Sequence, residues 1–372
     1  MFHLVTGLPW LVVLVRFILP LPWPWTLKAV VAVVLLIASQ YHYVSRLSSG
    51  SVFAPEFPRP LVIAFNVLFG AIVLLAVFQI ALDAGALVGL VFTGYFSEPA
   101  AEVRYAAGIA ALALSSFGVS RAIIVPPLKD IEISIPGLAA AFDGYRIVQL
   151  TDLHISRLFP AAWTGSMVAK ANALDADLIV ITGDFIDGSL EHRRADVEPL
   201  RGLSARDGIY AISGNHEYFF DAGAFLDHFE AMDMRLLSNS HAVIERGSDK
   251  LVIAGLPDRS AGRNGFPAPD LEAALQGAPD AAPVILLDHQ PMMAQQASAS
   301  GVALQLSGHT HGGMIRGMDR LLARANNGFV SGLYQVGSMQ LYVNNGTALW
   351  PGFALRLGRP AELTRITLRQ TR

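Results

Sequence analysis

Residues 61–82, LVIAFNVLFGAIVLLAVFQIAL, run for 22 positions without a charged side chain. At 1.5 Å per residue, such a run crosses the roughly 30 Å hydrocarbon core of a bilayer. Its length and composition predict a membrane-spanning helix rather than the buried helix of a soluble domain, so the chain has to be read in two parts. The charges divide the same way. Residues 1–125 carry ten charged side chains: Arg16, Lys28, Arg46, Glu56, Arg59, Asp83, Glu98, Glu102, Arg104 and Arg121. Residues 126–372 have the composition of an ordinary globular domain, yet the whole chain is only 15% charged, against about 25% in typical soluble proteins. The deficit therefore belongs to the first part.

Two further stretches read as spans. Residues 29–45 end in the aromatic YHYV, whose Tyr41 and Tyr43 suit a membrane interface. Residues 105–124 are rich in small residues and suit close helix packing. Residues 4–20 make a fourth, weaker candidate, because they contain Gly7, Pro9 and Arg16. Residues 86–96 are too short to cross alone; they either extend the 61–82 helix or lie at the interface. The expectation is a transmembrane helical domain of about four spans over 1–125. VPPLKD at 125–130 ends it, since two prolines stop a helix. IEISI then alternates with period two and opens a second domain over 126–372. A net charge of −3 gives no reason to expect a nucleic-acid partner. The absence of cysteine excludes disulfides and thiolate metal sites.

The second part repeats one arrangement five times: an apolar run of strand length ends in polar groups suited to metal or acid–base chemistry. RIVQLTDLH ends in Asp152 and His154, and DLIVITGDFID in Asp184 and Asp187. GIYAISGNHE ends in Asn215, His216 and Glu217, PVILLDHQP in Asp288 and His289, and LQLSGHTH in His309 and His311. Helical patterns at 161–174, 222–233 and 291–299 lie between several of them, which predicts an α/β fold with helix-covered sheets. Sites in such sheets gather at the carboxyl ends of strands, so the five tips are expected to converge. Asp152, His154, Asp184, Asn215, His289, His309 and His311 make seven candidate ligands, too many for one tetrahedral ion. They suit two ions sharing a carboxylate. Carboxylate, imidazole and amide oxygen without thiolate favour two divalent ions, Mn²⁺ first, with Fe or Zn²⁺ as alternatives. Glycines before Asp184, Asn215 and His309 allow tight turns into one pocket. D-x-H and H-x-H are read as alternate side chains on one side of extended backbone.

The segments DLH, GDFID, GNHE, a histidine after an apolar strand and GHTH, in that order over residues 144–370, resemble the signature of calcineurin-like metallophosphoesterases. The resemblance covers none of the membrane half, although membrane-anchored bacterial members with this arrangement exist. It implies a four-layer αββα sandwich. It implies that Asp152, His154 and His311 hold one metal, that Asn215, His289 and His309 hold the other, and that Asp184 bridges. His216 would be the general acid and not a ligand. Gly188 stands where the family's protein phosphatases have an arginine, which directs the reading to phosphodiesters or small phosphorylated molecules.

Around this set, Asp187 is expected to support its loop through backbone hydrogen bonds, and Glu217 to orient a ligand histidine. Asp288 is expected to be a turn or supporting residue. Arg259 is a candidate replacement contact to phosphate. Asn344 and Asn345 are assigned to a turn, Met292 and Met293 to packing, and His192, His228 and His241 to the surface. The leading function is a membrane-anchored phosphoesterase that hydrolyses a phosphodiester or pyrophosphate bond in a phosphorylated small molecule or a lipid-linked substrate, a nucleotide-linked lipid being the attractive candidate. A catalytically silent metal-binding module and the regulatory domain of a sensor or transporter are the alternatives. Arg46, Arg59, Arg121 and Lys129 lie near span ends on the catalytic side, against Lys28 and Arg104 opposite, which predicts a plasma-membrane protein with its catalytic domain in the cytoplasm.

Overall fold

The computed structural model describes residues 2–371. Two compact units emerge. One comprises the chain up to Ala122 together with Pro351–Leu355; the other is Ile123–Trp350 with the chain from Arg356 onward.

The first unit is helical: α1 (Phe2–Val13) running into a π-helical turn at Leu14–Ile18, then α2 (Trp25–Ser39), α3 (Tyr41–Ser49), α4 (Arg59–Thr93) and α5 (Ala101–Ala122). At 35 residues, α4 is about 52 Å long. It absorbs residues 86–93, so the short apolar stretch extends the helix. Only α4 and α5 are, among the described residues, single helices long and apolar enough to cross a membrane. Against the expected four, two of the described helices have the length and composition of a span, or three spans result if α2 and α3 count as one. The 29–45 stretch breaks at Gln40, and its two helices are bent by 55°. The 4–20 stretch yields only a short apolar helix, Val5–Ile18, with Pro9 inside α1 and a π turn at Arg16. Proline removes a helix hydrogen bond and clashes with the preceding turn. Asn66 grips the returning segment: its Nδ2 donates to Pro351 O at 2.9 Å and its Oδ1 accepts from Ala354 N at 2.7 Å. Tyr41 also donates to Pro351 O, and Phe353 packs edge-on against Phe69.

The second unit holds two six-stranded sheets. Its strands are β1 (Leu128–Ile135), β2 (Arg146–Leu150), β3 (Leu178–Thr182), β4 (Ile209–Ile212), β5 (Met234–Leu236), β6 (Ser240–Arg246), β7 (Asp249–Gly255), β8 (Val284–Leu287), β9 (Leu304–Ser307), β10 (Gly332–Val336), β11 (Met339–Val343) and β12 (Leu363–Gln370). One sheet has the order β1-β12-β2-β3-β4-β5 and the other β10-β11-β9-β8-β7-β6. β2 to β5 run parallel, as do β7, β8, β9 and β11. Ile147, Leu178, Val180 and Ile212 of the first sheet share one buried core with Leu251, Ile253, Leu287 and Leu306 of the second. The far face of the second sheet, through Ala254, Leu286 and Leu341, buries Leu271, Ala274, Ala294 and Ala297 of helices over residues 271–275 and 294–299. On the first sheet, Val148, Ile179, Ile181 and Ala211 are equally buried on the other face. Both faces of each sheet are covered, which is why these strands read as continuous apolar runs. This is a mixed α/β architecture of two helix-covered sheets packed face to face.

Candidate metal centre

The five motif-bearing strands sit side by side, β2, β3 and β4 in one sheet and β8 and β9 in the other. Their ladders stop just before the polar residues. The loops after β2 and β3 stay paired: Asp152 N donates to Gly183 O and His154 N to Asp184 O, both at 3.0 Å. Gln149 reaches across the sheets, its Nε2 donating to Thr182 Oγ1 and Ser307 O. The candidate ligands of DLH and GHTH are not on extended backbone, as D-x-H and H-x-H first imply. Asp152, His154, Asp184, His309 and His311 all have positive φ, between 42° and 68°. Left-handed backbone costs a non-glycine residue roughly 1–2 kcal/mol. Five such residues among seven candidates mark a place where the surrounding fold imposes strain for a purpose. The glycines serve by absence of a side chain. A Cβ on Gly214 would lie 2.2 Å from Asp184 Oδ1, and one on Gly308 2.4 Å from Asp152 Oδ2.

Three overlapping groups of donor atoms result, each with all atoms within 4.8 Å of one another: Asp152, His154 and His311; Asp184, His289 and His309; and His154, Asp184 and His216. Asn215 joins the second through its Oδ1, 3.1 Å from His289 Nε2. The chemistry of these atoms fits divalent cations. His154 turns Nδ1 to Asp187 Oδ2 at 3.0 Å, and His289 turns Nδ1 to Thr182 O at 2.8 Å. Each therefore donates from Nδ1, and Nε2 is the atom aimed inward. There, His289 Nε2 lies 3.3 Å and His154 Nε2 3.8 Å from Asp184 Oδ2, His311 Nε2 lies 3.6 Å from Asp152 Oδ1, and the two imidazoles of His154 and His311 approach to 3.3 Å. Charge-assisted hydrogen bonds are shorter, about 2.7–2.9 Å. Atoms each about 2.1 Å from one shared ion stand roughly 3.0–3.4 Å apart.

Asp152, Asp184, Asp187 and Glu217 are all buried, and four buried carboxylates require positive charge nearby. Burial raises the Asp152 carboxyl. Burial opposes ionisation of Asp184 too, but His289 and His216 outweigh it and hold that carboxyl well below its usual range. His216 shows the reverse balance: burial disfavours its charge, yet Asp184 and Asp187 lift it to about 9. His309 is pushed down to about 4 by burial and by His289.

Asp187 does more than hold its loop. Its carboxylate meets side chains, His154 Nδ1 on one oxygen and His216 Nδ1, 2.5 Å away, on the other. One aspartate thus sets two imidazoles. Glu217 accepts from the backbone N–H groups of Asp184, Phe185 and Gly214 at 2.6–3.1 Å, which staples two site loops; among the described residues no hydrogen bond joins it to a histidine ring. Asp288 is buried, accepts from Gln305 Nε2, and is pushed up to about 8 by burial and by Asp258. Asn344 and Asn345 hold the turn beyond β11. Met293 packs against the core. His192 is exposed, but His228 and His241 are half-buried rather than on the surface. Arg259 has no hydrogen bond to any candidate ligand among the described residues. Arg356 escaped the sequence reading altogether. Fully buried, it donates to the carbonyls of His311, Asn345, Gly346, Ala348 and Arg359, and so fixes the loop behind His311. A lone arginine in an apolar segment carries no motif that reveals this.

Residues 145–313 match the family model of calcineurin-like phosphoesterases. An uncharacterized metallophosphoesterase of Bacillus subtilis, YkuE, is 33% identical over 237 residues, which is 62% of this chain and 81% of the relative. The chain belongs to the calcineurin-like metallophosphoesterase family. Another relative of this family member, a zebrafish protein named transmembrane protein with metallophosphoesterase domain, is 34% identical over 266 residues, 69% of this chain and 60% of the relative. The match thus spans about 60% of the length of that relative. Among solved structures, the calcineurin-like phosphoesterase YfkN of Bacillus subtilis aligns with a TM-score of 0.37 and 16% identity, over 56% of this metallophosphoesterase and 82% of that chain.

Proposed function

We propose that the chain is a membrane-anchored, two-metal phosphoesterase that hydrolyses a phosphodiester or pyrophosphate bond. Residues 1–125 are its membrane part and 126–372 its hydrolase. The observation that carries this reading is the convergence of seven candidate ligands around Asp184, whose carboxylate belongs to two donor groups at once. In this reading Asp152, His154 and His311 hold one ion, Asn215, His289 and His309 hold the other, and Asp184 bridges. The donor set suits Mn²⁺, Fe or Zn²⁺. When bound, the ions supply the Lewis acidity that activates water and neutralises phosphate charge.

The chain's own residues do the rest. Asp187 fixes the His216 ring through Nδ1 and raises its proton affinity, so that Nε2 can give a proton to the departing oxygen. Such general acid catalysis contributes typically 10²–10⁴-fold. Asp187 and Thr182 orient His154 and His289, and Arg356 steadies the His311 loop. No protein nucleophile is required. The apolar α4 and α5 support anchoring in the plasma membrane, which places a phosphorylated small molecule or a lipid-linked nucleotide within reach. Arg121 and Lys129, flanking the junction, favour a cytoplasmic hydrolase.

The test is a hydrolysis screen of the purified full chain with Mn²⁺ against nucleotide–lipid, phospholipid and simple diester substrates. Turnover of at least one class is expected, and none in any class contradicts the reading. A C-terminal reporter active only outside the cytoplasm would overturn the orientation.

A further inference from the structure

Beside the donor cluster lies a cavity of about 210 Å³ lined by Arg259, Ser260, Arg263 and Gln290. That is well above the roughly 10–15 Å³ that admits one water, and enough for a tetrahedral phosphate. The lining is two guanidinium groups, a hydroxyl and an amide, with no carboxylate among them. Neither Arg259 nor Arg263 has an ion-pair or hydrogen-bond partner among the described residues, and both are exposed. The cavity is tied to the site loops from two sides. Gln290 follows the candidate ligand His289, one peptide or about 3.8 Å of Cα separation away. Asp258, which precedes Arg259, receives Gln290 Nε2 on one oxygen and Ser260 N on the other, both at 2.7 Å. Asp258 N in turn donates to Ser213 Oγ, two residues before Asn215. The carboxylates behind the cavity are engaged by neutral donors, Asp258 as described and Asp288 by Gln305.

We propose that Arg259, Ser260, Arg263 and Gln290 seat a second phosphoryl group, so that the preferred substrate is a diphosphate diester. This rests on the hydrolase reading above. The scissile phosphorus sits at the donor cluster and its neighbour phosphate in the cavity. Water adds as hydroxyl to the first phosphorus, and the bridging P–O bond breaks. Its electron pair leaves with the second phosphate's oxygen, and one proton is transferred, giving two phosphomonoesters. Guanidinium forks match phosphate oxygens in pairs, and charge grows on this second phosphate as the bond breaks, where fixed cations stabilise the transition state.

The experiment compares the full chain with an Arg259→Gln/Arg263→Gln double variant. Two measurements are made: kcat/KM for P1,P2-di(adenosine-5′) diphosphate relative to bis(4-nitrophenyl) phosphate, and the Kd of α,β-methylene adenosine diphosphate by calorimetry. The ratio is expected to fall about tenfold or more in the variant, and the Kd to rise by a similar factor. An unchanged ratio, or equal Kd values, overturns the second-phosphate seat. If neither protein hydrolyses anything but the Kd still rises, the seat stands and the hydrolase reading falls.

Discussion

Arg16 and Asp83 meet in the helical unit through two hydrogen bonds of 2.8 Å, and Glu98 and the buried Arg104 complete a group of two cations and two anions. Arg104 also reaches Gln79 and the carbonyl of Arg16. Every charge there has an opposite partner, and the group is self-sufficient. The αβ unit treats polar groups in the other way. Among its candidate ligands, the inward-facing carboxylate oxygens and imidazole Nε2 atoms stand 3.3–3.8 Å apart, too long for good ion pairs, and five of the seven sit on backbone held at positive φ. The first group consumes its own charge in holding helices together. The second keeps its lone pairs for something else. Polar residues inside a protein therefore signal function less by being buried than by being arranged without mutual satisfaction.

The contrast breaks most sharply at Asp184. Asp184→Asn removes the carboxylate shared by two donor groups, so activity is expected to fall below detection with loss of bound metal, read by elemental analysis. Full turnover with unchanged metal would end the bridging assignment. His216→Ala comes next, a loss of about 10²–10⁴-fold in kcat for a substrate with a poor leaving group. A nitrophenyl ester, whose oxygen needs little protonation, is expected to lose much less. Equal losses would mean that His216 positions phosphate instead.

Asp187→Asn keeps the shape but weakens the hold on His154 and His216; about 10–100-fold in metal affinity or rate is expected, measured by Mn²⁺ titration of activity. An unchanged titration and rate would return Asp187 to a loop role. The smallest effect lies in the self-sufficient group. Arg104→Met strands the carbonyl of Arg16 and Gln79, a loss of roughly 1–3 kcal/mol. It should lower the melting temperature in detergent and leave metal content intact. Loss of metal in that variant would dissolve the distinction between the two groups.

The convergence of the candidate ligands was legible because each stands at the tip of an apolar run, and parallel strands gather their tips. The order DLH, GDFID, GNHE, H and GHTH carried the rest. What sequence missed depends on contacts remote in the chain. Asp187 serves His154 and His216, which lie 33 and 29 positions away, and nothing local announces that. Arg356 reaches back to His311 over 45 positions. Positive φ at Asp152 or His311 is equally invisible, since alternation in DLH and GHTH looks like strand. In the helical unit the 61–82 run announced its helix plainly, and Gly7, Pro9 and Arg16 marked the first stretch as weak, whereas the bend at Gln40 did not register, because hydropathy reports composition and not direction.

The central claim is that two ions share Asp184. The full chain, purified, stripped with chelator and reloaded with Mn²⁺, is analysed for metal content and by electron paramagnetic resonance. The account predicts two Mn²⁺ per chain with spectra showing exchange coupling between them. A single ion, none, or two magnetically isolated ions would contradict it.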